Sequence, residues 1–192
     1  MVVSVAAEAP KALTGERYTR TAVVLHWAIA VLILVNLPIG LYCHLVESPF
    51  EQTLMSLHKP IGVTVLGLSL GRLLWRALHR APPLPVSLPT RDRAIARVVH
   101  WLLYILMISV PLAGWWMTSA FPERHPIIFF GLQVPFLPVE LGLPNAFFAH
   151  DMHSWLSIAL TMLAAAHIGA ALRHRHQNDG VFNRMWRPHR AG

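Results

Sequence analysis

The stretch DMHSWLSIALTMLAAAHIGAAL, residues 151–172, decides the fold. After its opening aspartate it contains no Asp, Glu, Lys or Arg. At about 1.5 Å of rise per residue, a helix of this length crosses the roughly 30 Å hydrocarbon layer of a bilayer. It nonetheless retains two histidines, His153 and His167, fourteen residues apart. At about 100° per residue they return to within about 40° of one face, about 21 Å apart along the axis. One apolar helix therefore offers two imidazoles at two depths.

Three further runs of comparable length lie upstream, Thr21 to His44, Leu57 to Leu78 and Val98 to Ala120. Of the 192 residues, 55% are hydrophobic and 13% charged, about half the charged share of a soluble domain. Backbone inside hydrocarbon must satisfy its own hydrogen bonds, so four such runs predict an all-α integral membrane four-helix bundle. The first run is not a cleaved signal: about twenty residues precede it, it exceeds the usual apolar core of about 7–15, and no small-x-small site follows. Residues 1–17 are expected to be a disordered tail, discouraged from regular structure by Pro10 and Gly15. Residues 18–176 would form the bundle and 177–192 a basic tail.

The net charge of +7 raises nucleic acid as a partner, but the placement of the charges points to a membrane. Lys11, Arg17 and Arg20 precede the first run; Arg72, Arg76, Arg80, Arg91, Arg93 and Arg97 surround the link between the second and third; Arg173, Arg175, Arg184, Arg187 and Arg190 follow the fourth. Only Lys59 and Arg124 fall on the other side, among Glu47, Glu51, Glu123, Glu140 and Asp151. Loop Lys and Arg set orientation, which puts both termini in the cytoplasm. Pro82, Pro83, Pro85 and Pro89 make the link a stiff connector. The opposite loop, about Phe121 to His150, mixes prolines with FF, PFLP and AFF, and is expected to lie across the bundle mouth, with room for a short interfacial helix.

Of twelve histidines, His44, His79, His125, His150, His174, His176 and His189 fall at run ends, in loops or in the tail. Imidazoles at depth are costly and need a reason. His26 and His167 share the cytoplasmic depth; His58 and His153 share the outer depth. Two pairs at two heights suit two haems, each iron taking one neutral imidazole on either side. Bundle cores hold cofactors in this way. The plainer reading is interhelical hydrogen bonding, which four depth-matched residues make less economical. A transition-metal transporter would add carboxylates or thiolates within the spans, and apart from Asp151 at the very start of the fourth those hold only Cys43. A single cysteine also excludes an internal disulfide and a C-x-x-C-H attachment, so the haem would be non-covalent. His100 lies near the cytoplasmic depth too, beside Trp101, and depth alone does not separate it from the inner pair.

Arg72 and Arg76 lie one turn apart, and two readings stand: pairing with haem propionates or positive-inside anchoring. Lys59 beside His58 either draws in a small anion or pairs with a propionate, or it snorkels to the interface.

Read in order, several segments together resemble the bacterial cytochrome b561 family from about Tyr18 to Pro188. They are LHW around His26, LHKPIG around His58, GRLLWR around Arg72, HWLLYILMISVPLAGWW, FFGLQVP, MHSWL, AAAHIGAAL and DGVFNRM. The resemblance implies a four-helix di-haem quinone cytochrome, with ligands His26 with His167 and His58 with His153, leaving His100 aside. It implies exchange with ubiquinone and, in some members, oxidation of superoxide at the outer face of the bacterial inner membrane. Two residues depart from the pattern. Pro60 follows His58 closely, which requires the second helix to begin near His58, because proline suits a first turn. His174-Arg175-His176 stands where the family usually has adjacent histidines. The functions in play are a stand-alone superoxide:ubiquinone oxidoreductase, a cytochrome b anchor subunit of a periplasmic dehydrogenase or hydrogenase, and a metal transporter.

Overall fold

A computed structural model describes residues 18–79, 82–83 and 88–186. The expected tail 1–17, Arg80 and Pro85 of the link, and residues 187–192 with Arg187, His189 and Arg190 lie outside the described residues. Four helices are long and apolar enough to cross a membrane: α1 Arg20–Leu45, α2 Glu51–Leu78, α3 Thr90–Ala120 and α4 Leu143–Gln177. They run alternately up and down, α1 packing on α2, α2 on α3, and α3 most extensively on α4. The end holding Tyr18, Arg72 and Arg184 is called here the basic end, the opposite one the hairpin end.

Each terminus has a local cause. Thr19 caps α1, its Oγ1 accepting from Ala22 N. Pro89 precedes α3 and Pro144 occupies the first turn of α4, where its missing N–H costs nothing. Asn178 closes α4 in the left-handed conformation, φ 52°.

Three expectations are corrected. The helix α2 begins at Glu51, so Pro60 lies inside it and not in its first turn. The proline's missing N–H takes the usual helical donor from Ser56 O, a loss that membrane helices tolerate, and Thr64 Oγ1 donates to Pro60 O at 2.8 Å. Second, α4 starts at Leu143, so His150 belongs to the helix and the loop is shorter than expected. Third, that loop carries a β-hairpin where a short helix was expected. Strands β1 Ile127–Phe129 and β2 Leu132–Val134 pair antiparallel around Phe130 and Gly131. Both turn residues have positive φ, 49° and 78°, the two-residue turn whose twist matches flanking strands. The hairpin is fastened to the bundle by Trp115 Nε1 donating to Pro135 O and Leu137 N donating to Ser119 Oγ, each at 3.0 Å.

The core is a single cluster of Ile29, Ile33, Val65, Tyr104, Met107, Val110 and Leu160. Leu160 lies on α4 between His153 and His167, Ile29 and Ile33 follow His26 on α1, and Val65 follows His58 on α2, so this apolar plug lies between the two histidine levels, with Val110 reaching the His153 level.

After α4 the chain turns back at Asn178 and forms a short helix, α5 Asn183–Trp186. Trp27 Nε1 donates to Met185 O at 2.9 Å, and the Trp27 and Trp186 rings meet edge-on at 5.5 Å. Arg184, buried, lies over the Tyr18 ring. The described part of the expected basic tail thus packs on the bundle.

Candidate functional site

The four histidines come together in the expected pairs. At the basic end the His26 and His167 ring centres are 6.3 Å apart with planes at 86°. At the hairpin end His58 and His153 are 6.1 Å apart at 88°. An iron bonded to one nitrogen of each ring at about 2.0 Å, with about 1.1 Å more from nitrogen to ring centre, would set the centres about 6.2 Å apart. Both pairs meet that separation. All four rings are half-buried at the ends of the apolar plug.

The hydrogen bonds say which nitrogen is free. His153 Nδ1 lies 2.8 Å from Val110 O; a carbonyl only accepts, so the proton is on Nδ1 and Nε2 keeps its lone pair for a metal. His58 Nδ1 is buried without a bond of ordinary geometry. At the other level Arg72 Nη1 sits 2.8 Å from His26 Nδ1. A guanidinium only donates, so this bond puts the imidazole proton on Nε2. Iron binding through His26 Nε2 would require Arg72 to release Nδ1, so that the proton can move there, and a propionate carboxylate is a better partner for the guanidinium.

Two glycines make room at the hairpin level. A Cβ on Gly40 would lie 2.8 Å from His58 Cε1, and one on Gly114 would lie 3.1 Å from His153 Cε1 and Nδ1. Neither was singled out by the sequence reading. The available signal was a glycine two or three residues beyond a proline in the same span, Pro38 with Gly40 and Pro111 with Gly114.

His100 approaches His167 to 5.5 Å between ring centres, at 68°. That is shorter than an intervening iron allows, so His100 is a neighbour of the inner pair. His44 and His150 also lie 6.0 Å apart, tilted by 33°, but at the rim, with His44 exposed and His150 on Asp151. Among the described residues no group of three or more His, Cys, Asp or Glu is arranged to hold a metal ion. A tetrahedral transport site therefore has no donor set there, whereas an axial pair asks for two.

Arg72 and Arg76 both face the inner level, each over the Tyr104 ring, and Arg76 also over Trp101. Lys59 is half-buried, is the cation bordering His58, and forms no ion pair among the described residues.

Comparison with known proteins identifies the family. The family model described as prokaryotic cytochrome b561 matches residues 17–188. The chain is 30% identical over 177 residues to the cytochrome b561 homolog 2 of Escherichia coli K12, covering 90% of this chain and 92% of that protein. It is 25% identical to the cytochrome b561 homolog 1 of the same organism and 22% identical to a probable superoxide oxidase CybB of Yersinia pestis. Each of these two alignments spans 88% of this chain and 96% of the relative.

Proposed function

The chain belongs to the prokaryotic cytochrome b561 family, and from that premise we propose a di-haem cytochrome that exchanges electrons with the quinone pool. Membership makes it a multi-pass protein of the bacterial inner membrane and implies b haem. In this reading His26 and His167 hold one iron, and His58 and His153 hold the other. The observation that carries it is the recurrence, at both ends of the bundle, of a histidine pair at the separation one bridging metal demands.

Haem supplies reversible one-electron chemistry when bound; the rest is the protein's. Val110 fixes the His153 tautomer, Gly40 and Gly114 admit the hairpin-end imidazoles, and Arg72 and Arg76 supply positive charge at the basic end. The apolar cluster that includes Ile29 and Leu160 supplies no polar group between the levels except the Tyr104 hydroxyl. On this reading the donor at the hairpin end is a small anion such as superoxide, a donor class suggested by one relative's name and supported by the unpaired Lys59 beside His58.

The test is the dithionite-reduced spectrum with haem quantified per chain. Two non-covalent, low-spin b haems are expected, barely perturbed by carbon monoxide because both axial positions are filled. One haem per fully loaded chain, or strong carbon monoxide binding, would refute the pairing.

A further inference from the structure

The rim of the hairpin end carries an imidazole pair that the haem reading leaves unused. We propose that His44 and His150 form a surface site for one divalent transition-metal ion of tetragonal preference, Cu(II) above all, with water filling its other positions. The site stands or falls independently of the haem assignment.

Distance selects the ion. The two ring centres are 6.0 Å apart. With about 2.0 Å from metal to nitrogen and about 1.1 Å more to each ring centre, imidazoles on opposite sides of an ion lie about 6.2 Å apart. A tetrahedral pair would lie about 5.1 Å apart. The observed spacing corresponds to a nitrogen–metal–nitrogen angle of about 150°, closer to the straight arrangement. Opposite corners of a square plane are what Cu(II) and Ni(II) offer, and Cu(II) heads the first-row series in affinity. Such a site asks for two protein donors, consistent with there being no cluster of three among the described residues.

Hydrogen bonding prepares the donors. His150 Nδ1 lies 3.2 Å from Asp151 Oδ1; a carboxylate only accepts, so the proton sits on Nδ1 and Nε2 keeps its lone pair. A carboxylate on the second nitrogen is the usual support of a metal-ligating histidine. His44 makes no hydrogen bond to a protein group among the described residues, so either of its nitrogens can serve. Both rings stand on long helices, His44 in the last turn of α1 and His150 near the start of α4. Both also reach water, His44 exposed and the His150 side chain 40% exposed. Glu47, Glu51, Glu123, Glu140 and Asp151 gather at this end against Lys59 and Arg124, a balance that draws in a dication. Cys43 precedes His44 and is displaced by about 100° around α1, so its thiol is not a donor in this arrangement.

Position gives the ion a consequence. His150 precedes His153 by three residues, so the two are neighbours on one face of α4. Positive charge held there stabilises the reduced form of an iron on His58 and His153, more than that of an iron at the basic end. That consequence rests on the di-haem reading; the binding does not.

The experiment titrates the haem-loaded full chain in detergent with Cu(II) alone and follows the electron paramagnetic resonance of the copper. An axial Cu(II) signal coupled to two nitrogens is expected. His44→Ala and His150→Ala should each weaken binding of that component by about tenfold or more, and Asp151→Asn by about tenfold, with haem content unchanged. Cys43→Ser should leave it intact. Copper held equally well by His44→Ala and by His150→Ala, for instance on His174 and His176 at the other end, overturns the site. Loss of the signal in Cys43→Ser also overturns it, by making the thiol the donor. Ni(II) takes the same geometry and should raise the potential of the hairpin-end haem more than that of the inner one. Unshifted potentials at saturating Ni(II) overturn the placement beside His153. If the chain takes up no haem, the di-haem reading fails, and the same copper titration still decides the site.

Discussion

A histidine binds iron through one nitrogen and is governed by what the other nitrogen does. His153 is set in advance by Val110 O, whereas His26 must first lose its bond from Arg72. Pairing then makes a sharp prediction: His58→Ala and His153→Ala should remove the same haem, and His26→Ala and His167→Ala the other, each read by potentiometric titration of the alpha bands. His100→Ala should retain both, since its ring is too close to His167 for an iron between them. If His100→Ala loses a haem and His26→Ala does not, the inner ligand has been misassigned. The glycines give an independent check. A methyl on Gly40 or Gly114 enters the space of an imidazole, so Gly40→Ala and Gly114→Ala should lower occupancy of the hairpin-end haem alone, at unchanged helix content by circular dichroism. Arg72→Leu removes a unit charge close to the inner level. At roughly 8 Å and an effective dielectric near 20, that lowers the inner potential by on the order of 50–100 mV, leaving the other within experimental error.

Helices were legible because hydrocarbon demands long apolar runs, but their ends were not. The first turns of α2, α3 and α4 hold Glu51, Arg91, Arg93 and Asn145; they lie beyond the apolar window yet remain helical at the interface, where polar side chains are solvated. The same solvation hid the true start of α2 and made Pro60 look like a first-turn residue. The hairpin was illegible for another reason: Phe130 at positive φ is an unusual choice for such a turn, so FFGL did not announce one. The two histidine pairs were legible because helical periodicity fixes depth. Their supporting carbonyl, glycines and the folded-back α5 were not, because these are contacts between segments far apart in sequence. The hairpin's turn is testable by itself. Gly131 sits at φ 78°, where a β-branched residue costs about 1–2 kcal/mol. Gly131→Val should therefore speed limited proteolysis at Phe129 and Phe130 by about tenfold, with both haems retained. Coupled loss of a haem would mean that the loop, and not only the helices, holds the hairpin-end site together.

Across the whole molecule, charge is divided as sharply as polarity. Fourteen of the sixteen Lys and Arg fall at the basic end by sequence position, leaving Lys59 and Arg124 at the other among acids. Arg124 lies over the Phe136 ring, on the loop, so Lys59 is the cation beside the hairpin-end pair. Loop charge of this kind predicts a cytoplasmic basic end, and a reporter fused after residue 192 should then be active and not exported. In that orientation His58 and His153 would lie toward the periplasm, where an anionic donor would meet a mostly negative surface with one local positive charge. Arrival of superoxide would then be steered by Lys59 and screened by salt. Lys59→Glu should slow haem reduction by superoxide, by about tenfold at low ionic strength and by less as salt is raised. Reduction by dithionite and the optical spectrum should not change, because the proposed iron ligands are untouched. An unchanged superoxide rate at low salt would remove Lys59 from the path. No superoxide reactivity in haem-replete protein would move the donor to a protein partner, with Ile128, Phe130 and Leu132 of the hairpin, all exposed, as the first surface to mutate.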